Sequence, residues 1–269
     1  MIICADDFGL AQDIDRATLD LAEQGRLSAV SCMVALPQAS AAQCLPLQTL
    51  ASRLDLGLHL VLTDTAPLSP SNSVPSLCGA PGRFWSFGEL LRRTALGCVD
   101  GDEVGREIAV QYERFCAWFG RPPDFVDSHL HVHQFPGVRT ELIRFLALRP
   151  AAQRPYVRNT RMPTGKLRRQ GVSFWKCWTI GIYGRRMWRA ARRAELATNR
   201  GFAGIYDYRN PAAYPQHLSR FLACMEGTSG ILMVHPGLVE PWRRAEYEAL
   251  KSTPLPAGVP TRFPRPLQP

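Results

Sequence analysis

At 269 residues, 46% of them hydrophobic, the chain has ample apolar material for a sizeable core, in one large α/β domain or two smaller ones. Lys plus Arg 32 against Asp plus Glu 23 gives a net charge of +9, a balance that favours anionic partners such as nucleic acid, phosphorylated sugars or a membrane face. The 8 cysteines form no Cys-x-x-Cys pair, so neither a zinc knuckle nor a redox motif is indicated. The chain passes from Met1 straight into Ile2-Ile3-Cys4-Ala5 without a signal-peptide pattern, and no apolar run reaches membrane-spanning length. A cytoplasmic protein with reduced thiols is expected.

Residues 1–5 read as a short buried strand that delivers Asp6-Asp7-Phe8-Gly9 at its C-terminal end. A helix follows over 13–24, with Ile14, Ala17, Leu21 and Ala22 on its apolar face and Gly25 as its stop. The apolar run 29–36 is a second strand closed by Pro37, and 39–51 a second helix. Residues 54–62 form a third strand carrying His59, after which 63–82, dense in Pro, Ser and Gly, is a loop over one end of the fold. Helices are expected over 87–96 and 103–119, the latter with Val104, Ile108, Phe115 and Phe119 on a core-facing stripe.

Asp124-Phe125-Val126 is β-favouring and runs into Asp127-Ser128-His129-Leu130-His131-Val132-His133, which holds three of the chain's 6 histidines. If the strand continues, His129, His131 and His133 share one wall and Leu130 points away from it. Residues two apart in a strand are roughly 6 to 7 Å apart, so one histidine as a ligand with the others nearby is the better reading.

Further along, 138–148 is helical, and a strand over 156–159 brings Arg158 and Asn159 towards the same end. Residues 174–182 are ambiguous. The segment from Arg185 to Arg200 is helical, with Arg186, Arg189, Arg192 and Arg193 also on it. A solvated face is the favoured reading of that segment; contact with an anionic substrate or a lipid headgroup is the weaker one, prompted by Met187 and Trp188. A strand over 204–208, a helix over 214–225 and a buried strand over 230–237 ending in His235-Pro236-Gly237 complete the folded part, taken as 1–253. The Pro-rich tail, 254–269, is expected to be extended or partly disordered.

Alternating strands and helices predict a parallel sheet, and Asp6, Asp7, His59, His129 and His235 all fall at or near C-terminal strand ends, where such folds build their sites. Adjacent aspartates point to opposite faces of a regular strand, so a shared site requires the chain to turn at Asp6-Asp7, with Gly9 permitting it. One carboxylate and two neutral imidazoles form a ligand set for one catalytic divalent ion, which assigns Asp7, His59 and His129 to the metal. Asp6, beside the ion but not on it, is placed as general base, and His235 as the acid that protonates the leaving group. Arg158 and His131 are the candidate substrate contacts.

Ala5-Asp6-Asp7-Phe8-Gly9, Gly57-Leu58-His59-Leu60-Val61-Leu62-Thr63, the Asp127 to His133 stretch and His235-Pro236-Gly237 resemble, in that order, the YdjC-like carbohydrate deacetylases. That family includes chitooligosaccharide deacetylases and relatives associated with hopanoid biosynthesis. The resemblance implies a single-domain, incomplete TIM-like (β/α) barrel and metal-dependent removal of an N-acetyl group from an amino sugar. It also implies Asp7, His59 and His129 on the ion and Asp6 as the base. Two departures stand out. Leu130 occupies a place where the chitooligosaccharide enzymes of this group often carry a further histidine, and the Arg- and Trp-rich stretch 162–201 does not fit chitobiose enzymes, which points to a larger or lipid-linked glycan.

Zinc suits two histidines and a carboxylate, while the resemblance keeps magnesium as an option. The partner expected is an oligosaccharide substrate, free or lipid-linked, with a homodimer left open and no nucleic acid, for which there is no recognition motif. The competing readings are a metal-dependent phosphoesterase, favoured by the positive charge, and a non-catalytic sugar-binding barrel.

Overall fold

The computed structural model describes residues 1–79 and 82–263. Strand β1 (Ile2–Phe8) leads into helix α1 (Gln12–Glu23), and β2 (Ala29–Cys32), α2 (Ala41–Thr49) and β3 (Asp55–Leu60) repeat the alternation. A small antiparallel pair, β4 (Cys78–Gly79) and β5 (Arg83–Phe84), lies within and just after the predicted loop, of which residues 80–81 lie outside the described residues. Next come α3 (Phe87–Ala95), α4 (Gly101–Phe119), β6 (Phe125–Ser128), α5 (Val138–Ala147), β7 (Tyr156–Val157), α6 (Thr164–Gln170) and α7 (Phe174–Arg193). The chain ends in β8 (Phe202–Ala203), α8 (Tyr214–Met225), β9 (Ile231–Val234) and α9 (Pro241–Ser252). Capping chemistry sets α4: the Asp100 carboxylate accepts the N–H groups of Asp102 and Glu103, and Gly120 at φ 67° terminates the helix.

The main sheet has 7 strands, all paired in parallel, in the order β7-β6-β3-β2-β1-β9-β8. It curls until its margins meet: Val157 pairs with Thr198 in an isolated parallel bridge. There Asn159 and Asn199 each donate a side-chain N–H to the other's backbone carbonyl, at 2.7 and 2.8 Å. The product is a single α/β domain, an incomplete (β/α) barrel as the family resemblance implies, one strand short of a full TIM-like barrel.

Period-two alternation sorts the strand side chains. Ile3, Ala5, Val30, Leu56, Val126 and Leu232 face the helices and belong to the larger buried cluster. Ile2, Cys4, Ala29, Phe125, Tyr156, Ile231 and Met233 face inward and plug the barrel. Gly57 belongs to this inner set because the Phe125 ring fills the space its Cβ would take, at 2.3 Å. One alternation step further along each strand, the inner positions turn polar: Asp6, Ser31, His59, Asp127, Arg158 and His235. The site is therefore the upper layer of the barrel interior, standing on an apolar floor.

Besides the β4–β5 pair and α6, which the sequence reading leaves unassigned, further elements differ from expectation. The strand expected over 204–208 sits at Phe202–Ala203, because Gly204 takes φ 106° against the Met233 carbonyl, where any Cβ would lie 2.1 Å from that oxygen, and the chain leaves the sheet. The ambiguous 174–182 stretch and the Arg-rich segment merge into the single helix α7. Helix α9, which the sequence reading leaves unassigned, begins with Pro241 in its first turn.

As far as Phe263 the tail, expected to be extended or partly disordered, carries no helix or strand and is held by hydrogen bonds and stacking. Thr261 donates its N–H to the Met1 carbonyl at 2.8 Å, Arg262 and the Phe263 N–H both reach the buried Asp55 carboxylate at 2.8 Å, and Phe263 stacks on Tyr156 at 4.1 Å. Inner-face residues at the barrel floor thus hold the tail; its last part, 264–269, lies outside the described residues.

Candidate active site

Both aspartates reach one cavity through a bulge rather than a turn. Ala5 pairs with Val30 and Phe8 with Cys32, so β1 carries one residue more than β2 over this interval, and Asp7 takes φ 68°. A left-handed aspartate costs on the order of 1 kcal/mol or more, and such strain gathers at functional sites. Gly9, at φ 95°, then turns the chain where a Cβ would meet the Met33 carbonyl at 2.6 Å.

The turn is held by Asp15, whose Oδ1 accepts the Gly9 N–H at 2.6 Å. Burial pushes the Asp15 carboxyl up to about 6, against the pull of that amide. The folded chain therefore keeps a proton that the unfolded chain releases near 3.8, and Asp15 subtracts stability as pH rises from about 4 to about 6. Asp15→Asn keeps the acceptor and removes the titration. Its urea midpoint, compared with that of the unsubstituted protein, is expected to rise across that window by an equivalent of about 2 kcal/mol. A pH-independent difference would show that Asp15 does not titrate there.

The polar layer is organised around Asp7. Its Oδ1 lies 3.5 Å from His59 Nε2 and 3.1 Å from His129 Nδ1, while its Oδ2 accepts from Arg243 Nη2 at 2.7 Å. One ligand atom from each of Asp7, His59 and His129 falls within 4.8 Å of the others, so this group fits a divalent ion in spacing and in donor chemistry. His59 Nδ1 is 2.7 Å from Asp127 Oδ1, which holds the ring with Nε2 directed at Asp7, the arrangement by which carboxylates orient metal-binding imidazoles. Ser31 also donates to Asp127, at 2.5 Å.

Arg158 ties this layer together. Its guanidinium is fully buried and donates to Asp6 Oδ2 at 2.5 Å and Oδ1 at 2.7 Å, and it lies 2.6 Å from Asp127 Oδ2. The structure thus places Arg158, read from sequence as a substrate contact, beneath the carboxylates and away from the cavity wall. Burial disfavours charge on His59, yet Asp127, Asp7 and Asp6 push it up to about 10. For Asp7 burial again works against ionisation, and hydrogen bonds from His129 and His59 hold its carboxyl well below the usual range. Asp7 thus stands ionised between two imidazoles and the Arg243 guanidinium.

The histidine strand is corrected. β6 stops at Ser128, and Leu130 and His131 take left-handed conformations, φ 55° and 58°, so the three rings diverge. His129 turns to Asp7. His131 lines the cavity, its ring edge-on to Phe202 at 5.4 Å and its buried Nδ1 without a partner among the described residues. His133 is buried between Ser128, 2.7 Å from its Nδ1, and the Arg158 carbonyl, 3.0 Å from its Nε2; burial pushes it down to about 4. Leu130, which alternation places away from the site, lines the cavity and is 45% exposed.

His235, at the end of β9, lines the cavity, and its Nδ1 lies 3.9 Å from Glu246 Oε1 on α9. Glu246 is fixed by the Tyr206 hydroxyl at 2.7 Å and accepts the His235 N–H at 2.6 Å. Asp127, Arg243 and Glu246 receive no role in the sequence reading. Asp127 could have been found by extending the inner-face alternation from Phe125; nothing local marks the two residues of α9. The cavity holds about 540 Å³, and beyond the polar layer it is walled by apolar side chains including Phe87, Leu91, Phe135, Ile180 and Tyr183.

The sequence profile described as YdjC-like protein matches residues 1–258, the whole barrel with its polar layer. The chain belongs to the YdjC-like protein family. Among curated relatives, a chitooligosaccharide deacetylase of Yersinia pestis (strain Pestoides F) is 37% identical over 138 residues, which is 51% of this chain and 52% of the relative. One of Yersinia pseudotuberculosis serotype O:1b matches to the same extent. The chain thus spans about half the length of the curated relatives it matches. The crystal structure of an Enterococcus faecalis V583 protein named for cellobiose-phosphate cleavage is similar at TM-score 0.66 and 20% identity, over 93% of this chain and 90% of that one. That likeness is one of fold. Among the described residues no helix is long and apolar enough to cross a membrane.

Proposed function

We propose that this YdjC-like barrel is a metal-dependent hydrolase that removes the acetyl group from an N-acetylated amino sugar, within an oligosaccharide or linked to a lipid. The observation that carries the reading is the Asp7, His59 and His129 group at the base of the cavity, in a family with relatives named chitooligosaccharide deacetylases. A divalent ion held by these three residues would supply water activation and stabilisation of the developing oxyanion.

The chain's own groups do the rest. Asp6, aligned by the Arg158 fork, takes the proton from the attacking water. His235, backed by Glu246, protonates the amine nitrogen as the amide C–N bond breaks, releasing acetate. Asp127 keeps the His59 ring in register and Arg243 keeps the Asp7 carboxylate turned towards both imidazoles. His131 is placed to contact the sugar, and the apolar walls exclude bulk water. Arg158 positions Asp6 and Asp127 and does not touch substrate.

The donor set favours zinc over magnesium, since two of three ligands are nitrogen. Among the described residues the cavity offers little to a phosphate: the one lysine or arginine lining it is Lys176, which donates to the Tyr206 carbonyl. The test is elemental analysis of the purified protein, then an acetate assay with that ion restored over chitooligosaccharides, simple N-acetylated amino sugars and a lipid-linked one. Ion-dependent acetate release is expected. Phosphate release from sugar phosphates without acetate would select a phosphoesterase, and saturable sugar binding without turnover a binding barrel.

A further inference from the structure

Helix α7 presents two unlike sides. Cys177, Gly184, Met187 and Ala191 are buried against the barrel. On the opposite side Trp175, Trp178, Ile182, Arg185, Arg186 and Arg189 recur at spacings of three and four residues and share one outward face. Trp175 is 74% exposed, Trp178 47% and Ile182 36%, and the three arginines are exposed as well. The aromatic half of this face adjoins the cavity mouth, because Lys176, Thr179, Ile180 and Tyr183 of the same helix line the cavity, whose rim also exposes Phe87 and Leu130.

The charge on this face is uncompensated. The helix contains no Asp or Glu, and among the described residues none of these three arginines meets a carboxylate. Aromatic and aliphatic side chains beside unpaired arginines on one helix face match an interface of anionic headgroups above acyl chains.

We propose that α7 seats the protein on an anionic lipid bilayer, with Trp175, Trp178 and Ile182 in the headgroup boundary, the arginines on lipid phosphates and the cavity mouth opening at the interface. A second copy of this chain fits the face poorly, since it would oppose arginines with arginines. A nucleic-acid backbone would satisfy the arginines and leave Ile182 and the apolar rim uncovered. The proposal stands apart from the reaction performed in the cavity.

The test is sedimentation of the full chain with phosphatidylcholine vesicles, with and without phosphatidylglycerol, at low and high salt, alongside tryptophan emission. Sedimentation only with the anionic vesicles, weakened by salt and accompanied by a blue shift, is expected. The triple change Arg185→Gln, Arg186→Gln, Arg189→Gln should weaken partitioning roughly a hundredfold. The triple change Trp175→Ser, Trp178→Ser, Ile182→Ser should weaken it by about tenfold or more and remove the shift. All six positions are exposed, and circular dichroism with the thermal midpoint checks that each variant is folded. Vesicle binding indifferent to lipid charge or to both sets of changes would overturn the proposal. So would binding to duplex RNA or DNA without vesicle binding, or a dimer that the tryptophan changes dissolve.

Discussion

Asp7→Asn is expected to strip the purified protein of its divalent ion and to lower acetate release by about a thousandfold. Asparagine is the informative substitution because it tolerates the left-handed φ of 68° at this position, so the bulge in β1 survives while the negative charge is lost. That charge faces His59 and His129 on one oxygen and Arg243 on the other. The thermal midpoint should fall modestly, since Arg243 keeps Glu240 and loses the Asp7 charge, and the variant should remain folded. His133→Asn is the counterpart: His133 touches Ser128 and the Arg158 carbonyl and stands apart from Asp7, so its ion content should hold far better than that of His129→Ala. Acetate release retained by ion-free Asp7→Asn, or greater ion loss from the His133 variant, would overturn the assignment.

The largest effect on stability is expected at Arg158. Arg158→Met takes away the guanidinium shared by the carboxylates of Asp6 and Asp127, each about 1% exposed or less, leaving Asp127 only His59, and should lower unfolding free energy by about 3–5 kcal/mol. Burial and the two carboxylates act in opposite directions on Arg158, and the carboxylates win, holding its guanidinium proton well above the ordinary range. Adding Asp127→Asn to Arg158→Met removes one of the two carboxylates that lost the guanidinium and should return part of the loss. Urea denaturation of the two single variants and the double variant gives the coupling. Strictly additive losses would show that the two side chains do not interact, contrary to their 2.6 Å separation.

The alternation of apolar strands and helices, and the placing of Asp6, Asp7, His59, His129 and His235 at or near strand ends, follow from local chemistry. β-favouring runs, capping residues and period-two patterns act over a few residues, and they are enough to make a parallel sheet with a polar C-terminal edge readable in the chain; that the sheet closes towards a barrel was implied by the family resemblance. The family pattern of ordered motifs added to that reading and agreed with it.

Other features depended on neighbours distant in sequence. Whether Asp7 shares a cavity with Asp6 was decided by pairing with β2, which accommodates one extra residue as a bulge; alternation alone would have parted the two carboxylates. The end of β6 at Ser128 sent His129, His131 and His133 in three directions, because two left-handed residues broke the period on which a shared wall depends. Arg243 reaches Asp7 across 236 residues, and Arg158 reaches Asp6 across 152, so no local window could show that one arginine backs the cluster and the other lies beneath it. Local propensity specified which residues stand at the rim of the barrel, while closure of the sheet and docking of α9 specified which of their atoms meet.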